Sequence, residues 1–417
     1  MKTVIYWFRN DLRLSDNPAF VNAHAIADYV LPVYIHQAPS IKTHYGFERV
    51  GMHRQHFLRQ SLSSLRAQLQ ELGSDLYEYE GDPENVLLQL FQNVGTKVVY
   101  CEHIEAPEEI EQCRRISNRG IDLKECWQSS MLDPSSLPFA LQKMPDVFTQ
   151  FRQAVEQEGL RFAQPISSPR SLVPLPLILQ NQSVAKKDYA PYSTKSLYCQ
   201  GGELAGQAHL KQYLVRRLPD TYKQTRNQLI GLDYSSKFSP WLALGCLSAR
   251  DIAAQITEYE ESYGANEGTY WLWFELLWRD YFRFIHFKYG QQLYQSRGLG
   301  KAAAKPFDIS QFERWSQGKT GIGLIDAGMR ELSRSGFLSN RMRQIVASYW
   351  IYELAGDWRA GAAWFESQLI DYDVYSNQGN WLYIAGRGTD PRGGRPFNIE
   401  KQARDHDPDG AYQRMWL

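Results

Sequence analysis

A doubly wound parallel α/β sheet, a long connection and a larger all-helical part are the fold that this 417-residue chain predicts. Three observations carry that reading. Short β-branched and aromatic runs alternate with helical periods over residues 1–130. Proline and polar residues dissolve the pattern over 131–205, and helical periodicity then continues from 206 to 417. The length allows two or three domains and a large core.

Strand-like runs stand at 3–8, 29–35, 76–79, 98–101 and 122–127. Between them lie helical periods at 52–72, 84–94 and 107–119, where Pro107 suits a first helical turn. This alternation builds a parallel sheet with helices on both faces. Arg9-Asn-Asp-Leu-Arg-Leu-Ser-Asp16 follows the first strand in place of G-x-G-x-x-G, so ordinary Rossmann binding of a dinucleotide is not expected in this half. Pro165, Pro169, Pro174 and Pro176, with Ser and Gln between them, mark a connection over the surface, longer than ordinary loops. One helix is expected inside it, at 144–160. Further helices are expected at 208–217, 240–259, 270–289, 322–335, 340–354 and 358–370.

Lys plus Arg and Asp plus Glu stand at 46 each, so no global field draws the chain onto nucleic acid, and any DNA contact needs a local basic patch. Five scattered cysteines lack CxxC or Cys/His spacing, which points to a reducing compartment and no metal site. No signal peptide opens the chain and no apolar run is long enough to span a bilayer, so a cytoplasmic protein without membrane contact is expected; a monomer is expected as well. The 12 Trp fall mostly in the second half, among Arg, Asn and Asp.

Four segments gather chemistry. Asp371-Tyr-Asp-Val-Tyr-Ser-Asn-Gln-Gly-Asn-Trp381 packs carboxylates, amides and an indole together, groups that suit a large polar aromatic cofactor. An Asx-rich turn before a core Trp is the plainer alternative. Glu275, Trp278, Arg279 and Phe282 share one helical stripe at i, i+3, i+4 and i+7. Charges on such a stripe are costly in a core unless paired, so a functional cavity is the better reading. Asn340, Arg341, Arg343 and Gln344 fall in the first turns of a helix that Ser339 or Asn340 can cap. Cations there oppose the helix dipole and need a partner, with Asp371 the candidate for Arg343. Tyr234-Ser-Ser-Lys-Phe-Ser-Pro-Trp241 offers hydroxyls and a Lys before a Pro-initiated helix, a combination suited to a pyrophosphate although common in N-caps.

With these residues in place, the chain resembles the photolyase/cryptochrome superfamily, and more narrowly its DASH cryptochrome branch. FSPWLALGCLSAR, WFELLWRDYFRFI, SNRMRQIVASYW, DYDVYSNQGNWLYIAGRGTDPR and RPFNIEKQARDHDPDGAYQRMW carry the likeness, with WFRNDLRLSDNPA at the start and DVFTQFR in the connection.

The resemblance implies an α/β domain over 1–130, a connection over 131–205 and a helical FAD-binding domain over 206–417. Tyr222, Ser235, Ser236, Lys237 and Ser239 match positions contacting the FAD phosphates and sugar, and Arg279 and Asn340 are counted among the cofactor contacts. Arg343 and Asp371 match a guanidinium–carboxylate pair beside the isoalloxazine, and Asp373 the region where the adenine end folds back. Asn377 matches the position facing the flavin N5 edge, where an amide favours an anionic reduced flavin. Glu275, Trp278, Asn340, Arg341, Gln344 and Tyr383 match the cavity that receives a flipped pyrimidine dimer, with Arg341 meeting a flanking phosphate. Trp381 and Trp358 match the inner two members of an electron relay. Lys305 stands at the outer position, where an ammonium cannot carry a hole, so exit through Trp350, Tyr349 or Tyr352 is the alternative. An antenna, 5,10-methenyltetrahydrofolate, is implied between the two halves, with Glu108 or Glu109 contacting it; acids in a first helical turn are also ordinary dipole compensation.

The activity these matches imply is light-driven repair of pyrimidine dimers, preferably in single-stranded DNA. A blue-light photoreceptor using the same flavin is the competing reading. The chain's end at Trp416-Leu417, without a long tail, is expected to weigh against it. A flavin oxidoreductase without DNA would leave the stripe of Glu275 and Trp278 with no substrate.

Overall fold

The computed structural model describes residues 1–37, 41–179 and 199–417, so part of the connection over 131–205 lies outside the described residues. Five parallel strands, β1 (Thr3–Phe8), β2 (Tyr29–His36), β3 (Tyr77–Glu80), β4 (Val98–Glu102) and β5 (Asp122–Cys126), form one sheet in the order β3-β2-β1-β4-β5. The central β1 is buried on both faces, as its unbroken apolar run requires. The outer β5, Asp-Leu-Lys-Glu-Cys, is mostly exposed, and its charges discourage further pairing along that edge. Pro32 is tolerated in the inner β2 because pairing with β3 begins only at Val33.

Helices α1 (Pro18–Ile26), α2 (Met52–Glu71), α3 (Pro83–Val94) and α4 (Pro107–Asn118) cover the sheet. The sequence pattern does not announce α1; Asn17 starts it, its Oδ1 accepting from Phe20 N at 3.1 Å ahead of Pro18 in the first turn. In the connection, α5 spans Phe148–Gln157, shorter than the expected 144–160.

The helical part comprises α6 (Glu203–Val215), α7 (Tyr222–Thr225), α8 (Ser239–Ala243), α9 (Ala249–Tyr263), α10 (Glu267–Tyr289), α11 (Ile309–Ser316), α12 (Gly323–Ser335), α13 (Asn340–Ser348), α14 (Trp358–Gln368), α15 (Val374–Ile384), α16 (Ile399–His406) and α17 (Ala411–Trp416). Two expectations need correction. The helix expected over 240–259 is two, α8 and α9, broken where Gly245 adopts φ +66°. The α13 helix stops at Ser348 and passes into a π-turn over Tyr349–Glu353 rather than continuing to 354. Of the segment 371–381, Asp371 stands in a turn, Asp373 is an N-cap, and 374–381 belongs to α15.

The break at Gly245 is where the two parts meet. A methyl group on Gly245 would stand 2.0 Å from Asn10 O. Leu12 N donates to Leu244 O at 3.0 Å, and Arg13 donates to Gly245 O at 2.9 Å. Asp280, fully buried on α10, accepts the N–H groups of Met131 and Leu132 at 2.9 and 2.8 Å and so ties the connection to the longest helix. One core begins on the β1 face with Val4, Tyr6 and Phe8 and runs without a gap to Trp315, Trp350 and Trp381. A smaller core of Ile5, Trp7, Leu31, Val33 and Val99 covers the opposite face, as the period of two demands. Gly245→Ala combines a left-handed backbone with a clash against a backbone oxygen, and is expected to cost about 3 kcal/mol or more, read as a lowered Tm. Among the described residues no helix is long and apolar enough to cross a membrane.

Candidate active site

A cavity of about 410 Å³ lies between α10, α13, α15 and the turn before α8. Its lining includes Tyr222, Ser235, Ser236, Lys237 and Ser239 on one side and Glu275, Trp278, Arg279 and Phe282 on another. A smaller pocket of about 80 Å³ adjoins it, sharing Asn340, Arg343, Gln344 and Asp371 and adding Asp373, Asn377 and Trp381.

The α10 stripe is held in place from its start. Asn266 and Thr269 form a capping box, and one face of the helix is buried over most of its length. Trp278 is stacked on Phe148 of α5, with ring centroids 3.6 Å apart and planes 13° apart, and meets the edge of Tyr383 at 5.6 Å. Phe148 is a residue that sequence reasoning missed, because nothing in its local pattern says that the connection folds back onto α10. The Arg279 guanidinium is claimed by the carbonyls of Ser129 and, at 3.2 Å, Leu242. Burial and then the neighbouring Arg283 lower it to about 9. Glu275 forms an ion pair with Arg226, a second lining residue absent from the sequence reading.

Ser339 caps α13, its Oγ accepting from Met342 N at 3.1 Å, so of the two candidates Ser339 and not Asn340 is the cap. No acid stands in the first turn of α13, and the charge opposing its dipole comes from Asp371, which accepts from Arg343 at 2.7 Å. Arg343 is further fixed by Leu338 O at 2.9 Å. The Asp371 side chain is 1% exposed, and its second oxygen, Oδ1, is buried without a hydrogen-bond partner among the described residues. A buried acceptor left unmatched costs about 1–3 kcal/mol, and an N–H at the edge of a bound ring would satisfy it.

Asp373 caps α15 by accepting from Ser376 N at 2.7 Å and pairs with Arg283. Burial alone would raise its carboxyl, but Arg283 and Arg279 overcome that and bring it down to about 2. Asn377 donates its Nδ2 to Ala362 O at 3.0 Å, which leaves its Oδ1 for the pocket. Lys237 sits at φ +54° with its ammonium 3.6 Å from the Tyr234 ring centroid and 4.5 Å from that of Phe337. Burial lowers the ammonium to about 7. This donor set fits FAD: hydroxyls and a buried Lys for phosphates, carboxylates and an amide for ring and ribose edges.

Two expected site residues fall elsewhere. Arg341 does not line the cavity; it is half-buried, donates to Asn227 Oδ1 at 3.1 Å and lies over the Phe397 ring. Gln344 and Tyr383 do line it, and Arg395, held by Asp390 at 2.7 Å, donates to the Tyr383 hydroxyl at 2.9 Å. Glu108 is the second: it is exposed and pairs with Arg49 at 2.6 Å, whereas Glu109 lines a separate cavity of about 400 Å³. That cavity opens at the C-terminal ends of β1, β2 and β3, among Arg9, His36 and Glu80, where α/β sheets place their ligands.

Ring contacts behind Trp381 run through Trp315 to Trp350, one of the alternative exits expected from the sequence. Trp381 is edge-on to Trp315 at 6.3 Å, and Trp315 stacks on Trp350 at 5.2 Å. Trp358 is buried and donates its indole N–H to Ser296 O at 3.0 Å. Lys305 is exposed in an irregular stretch.

Comparison with known proteins agrees with this geometry. Residues 4–170 match the DNA photolyase family, and residues 271–417 match the FAD binding domain of DNA photolyase. A cryptochrome DASH of Synechocystis sp. is 44% identical, with 100% of this chain and 87% of the relative covered. The crystal structure of Synechocystis sp. PCC6803 cryptochrome superposes with a TM-score of 0.94 at 42% identity, covering 100% of this chain and 88% of that one. A bacterial class III photolyase from Agrobacterium tumefaciens superposes with a TM-score of 0.85 at 27% identity, covering 100% and 86%. The parallel sheet, the helical half with its flavin-shaped donor set and these likenesses agree: the chain belongs to the photolyase/cryptochrome family, in its cryptochrome DASH branch.

Proposed function

We propose that this protein repairs cyclobutane pyrimidine dimers in light, with single-stranded DNA as its preferred substrate. One observation carries the reading: the cavity that holds the flavin-type donors is also walled by Glu275, Trp278, Gln344 and Tyr383, so a base docked there lies beside the chromophore. FAD, when bound, supplies the photoexcited electron that opens the dimer ring. The chain does the rest. Trp278, backed by Phe148, gives an apolar wall of fixed orientation for the pyrimidine rings. Glu275 and Gln344 offer donors and acceptors to carbonyl and imide groups. A formal charge of zero gives little general pull on a duplex, and flipping a base from one costs roughly a few kcal/mol that a single strand does not require.

The decisive assay illuminates the reduced protein with dimer-containing oligonucleotides and follows the return of thymine absorbance. Single strands should be repaired much faster than duplexes; repair of neither removes the reading. Glu275→Ala is expected to lower the repair rate by about 10²-fold while the flavin content stays unchanged.

For the phosphate end of the cofactor we propose Lys237 as the principal cation. A bound pyrophosphate raises the ammonium from about 7, so binding takes up a proton. FAD affinity is then greatest below pH 7 and falls as the pH rises above it, a dependence that titrations with Lys237→Met should lack. We propose further that 5,10-methenyltetrahydrofolate occupies the cavity lined by Glu109, where burial raises the carboxyl and favours hydrogen bonding to a pterin. Purified wild-type protein should carry a near-UV pterin band that Glu109→Leu loses. For photoreduction we propose that Trp381 is the first donor to the flavin, with Trp315 and Trp350 continuing the path.

A further inference from the structure

Arg226 lies just beyond α7 on the cavity wall, where its guanidinium pairs with Glu275 and rests over the Trp271 ring at 4.7 Å. Among the described residues no hydrogen bond ties that guanidinium to the backbone, in contrast to Arg279 and Arg343, which are fixed by carbonyls. Both partners line the cavity and keep some side-chain exposure, 18% for Arg226 and 32% for Glu275. Tyr222 faces the same carboxyl from α7, and Arg279 stands one turn along α10. Lys237 and the Arg343–Asp371 pair lie on the facing walls, and Tyr383 with Arg395 closes the α15 side. Arg226 is the one cation in contact with Glu275 among the described residues.

Two influences on the carboxyl oppose each other: burial, the larger, raises it above its ordinary range, and Arg226 pulls it back down. Ionised, Glu275 can only accept hydrogen bonds. Protonated, it carries one O–H donor and one acceptor, the complement of the adjacent C=O and N–H on a pyrimidine edge. The weakly anchored guanidinium is also the kind of group that a strand phosphate attracts.

We propose that Arg226 is a positioning residue that sets the protonation of Glu275: it holds the carboxylate ionised until a strand docks, and a phosphate of that strand then draws it away, so that Glu275 takes a proton and donates it in a hydrogen bond to a base carbonyl. The proton comes from bulk water, the Arg226–Glu275 pair breaks, and an Arg226–phosphate pair replaces it. This rests on the dock reading above, and it makes docking and protonation one event.

Infrared difference spectra of the flavin-loaded protein at neutral pH test it, through the C=O stretch of a carboxylic acid. Wild-type protein should show that band only when a single-stranded dimer oligonucleotide is added. Arg226→Ala should show it without DNA, with the Glu275 titration moved upward by about 1–3 pH units, and Arg226→Ala with Glu275→Gln should lose it. Arg226→Lys, which keeps the charge, should restore the wild-type pattern. Arg226→Gln serves the same comparison if the alanine variant does not fold. A band that does not respond to Arg226 substitution, or wild-type protein that stays ionised with the oligonucleotide bound, overturns the proposal. An Arg226-dependent band in a protein that repairs no dimers would refute the repair reading and leave the counter-ion role standing.

Discussion

Asp371→Ala is expected to yield protein that has lost its flavin and is destabilised by about 3 kcal/mol, near the lower end for a broken buried ion pair because Arg343 is 24% exposed. Three effects coincide. Arg343 loses its only ion-pair partner among the described residues. The positive end of the α13 dipole loses a compensating charge that its own first turn, which contains no acid, does not supply. The buried, unmatched Oδ1 acceptor of this pocket-lining residue disappears with the side chain. Flavin released on denaturation, measured per mole of protein, and Tm report these effects separately. Asp371→Asn keeps an acceptor but no charge, so it should retain more flavin than the alanine variant while still losing Tm. Equal flavin content in wild type and Asp371→Ala would exclude this carboxylate as a cofactor ligand.

The second large effect concerns the indoles. Trp381→Phe should abolish reduction of the flavin under blue light, because electron transfer falls steeply with distance and no other indole among the described residues lines the pocket with Asn377 and Asp373. The next step separates two routes. If the path follows ring contacts, Trp315→Phe should slow photoreduction strongly and Trp358→Phe only weakly, since Trp315 bridges Trp381 and Trp350 at 6.3 and 5.2 Å. The opposite ranking would return the relay to Trp358. Transient absorption of the indole radical, with flavin content as control, distinguishes a lost relay from a lost cofactor.

Much of this site was legible before the fold. The α10 stripe announced itself because a carboxylate, an indole and a guanidinium share a helical face only when something polar lies opposite. The Arg343–Asp371 pair followed from helix electrostatics, which fix the sign of the missing partner. Other parts were hidden for physical reasons. The run 371–381 is rich in Asp, Asn and Gly, whose local preference is for turns; α15 forms because Asp373 both caps it and is neutralised by Arg283, a contact 90 residues away in sequence. Arg226 follows a single helical turn, too short for periodicity to reveal which way it faces. The helix break at Gly245 answers to Asn10, on the far side of the interface. Propensity describes a segment in isolation, and each of these outcomes belongs to a pair of segments.

The stacking of Phe148 on Trp278, together with the grip of Asp280 on the backbone of Met131 and Leu132, changes what counts as a minimal light-responsive unit. The linker backs the wall it reaches. A fragment beginning at 199 would carry every residue proposed to hold the flavin and yet leave Trp278 with no backing ring and an acid at 280 with two vacated bonds. Truncations and chimeras built on this scaffold therefore need to keep residues 131–157 with the helices, whatever sheet is placed before them.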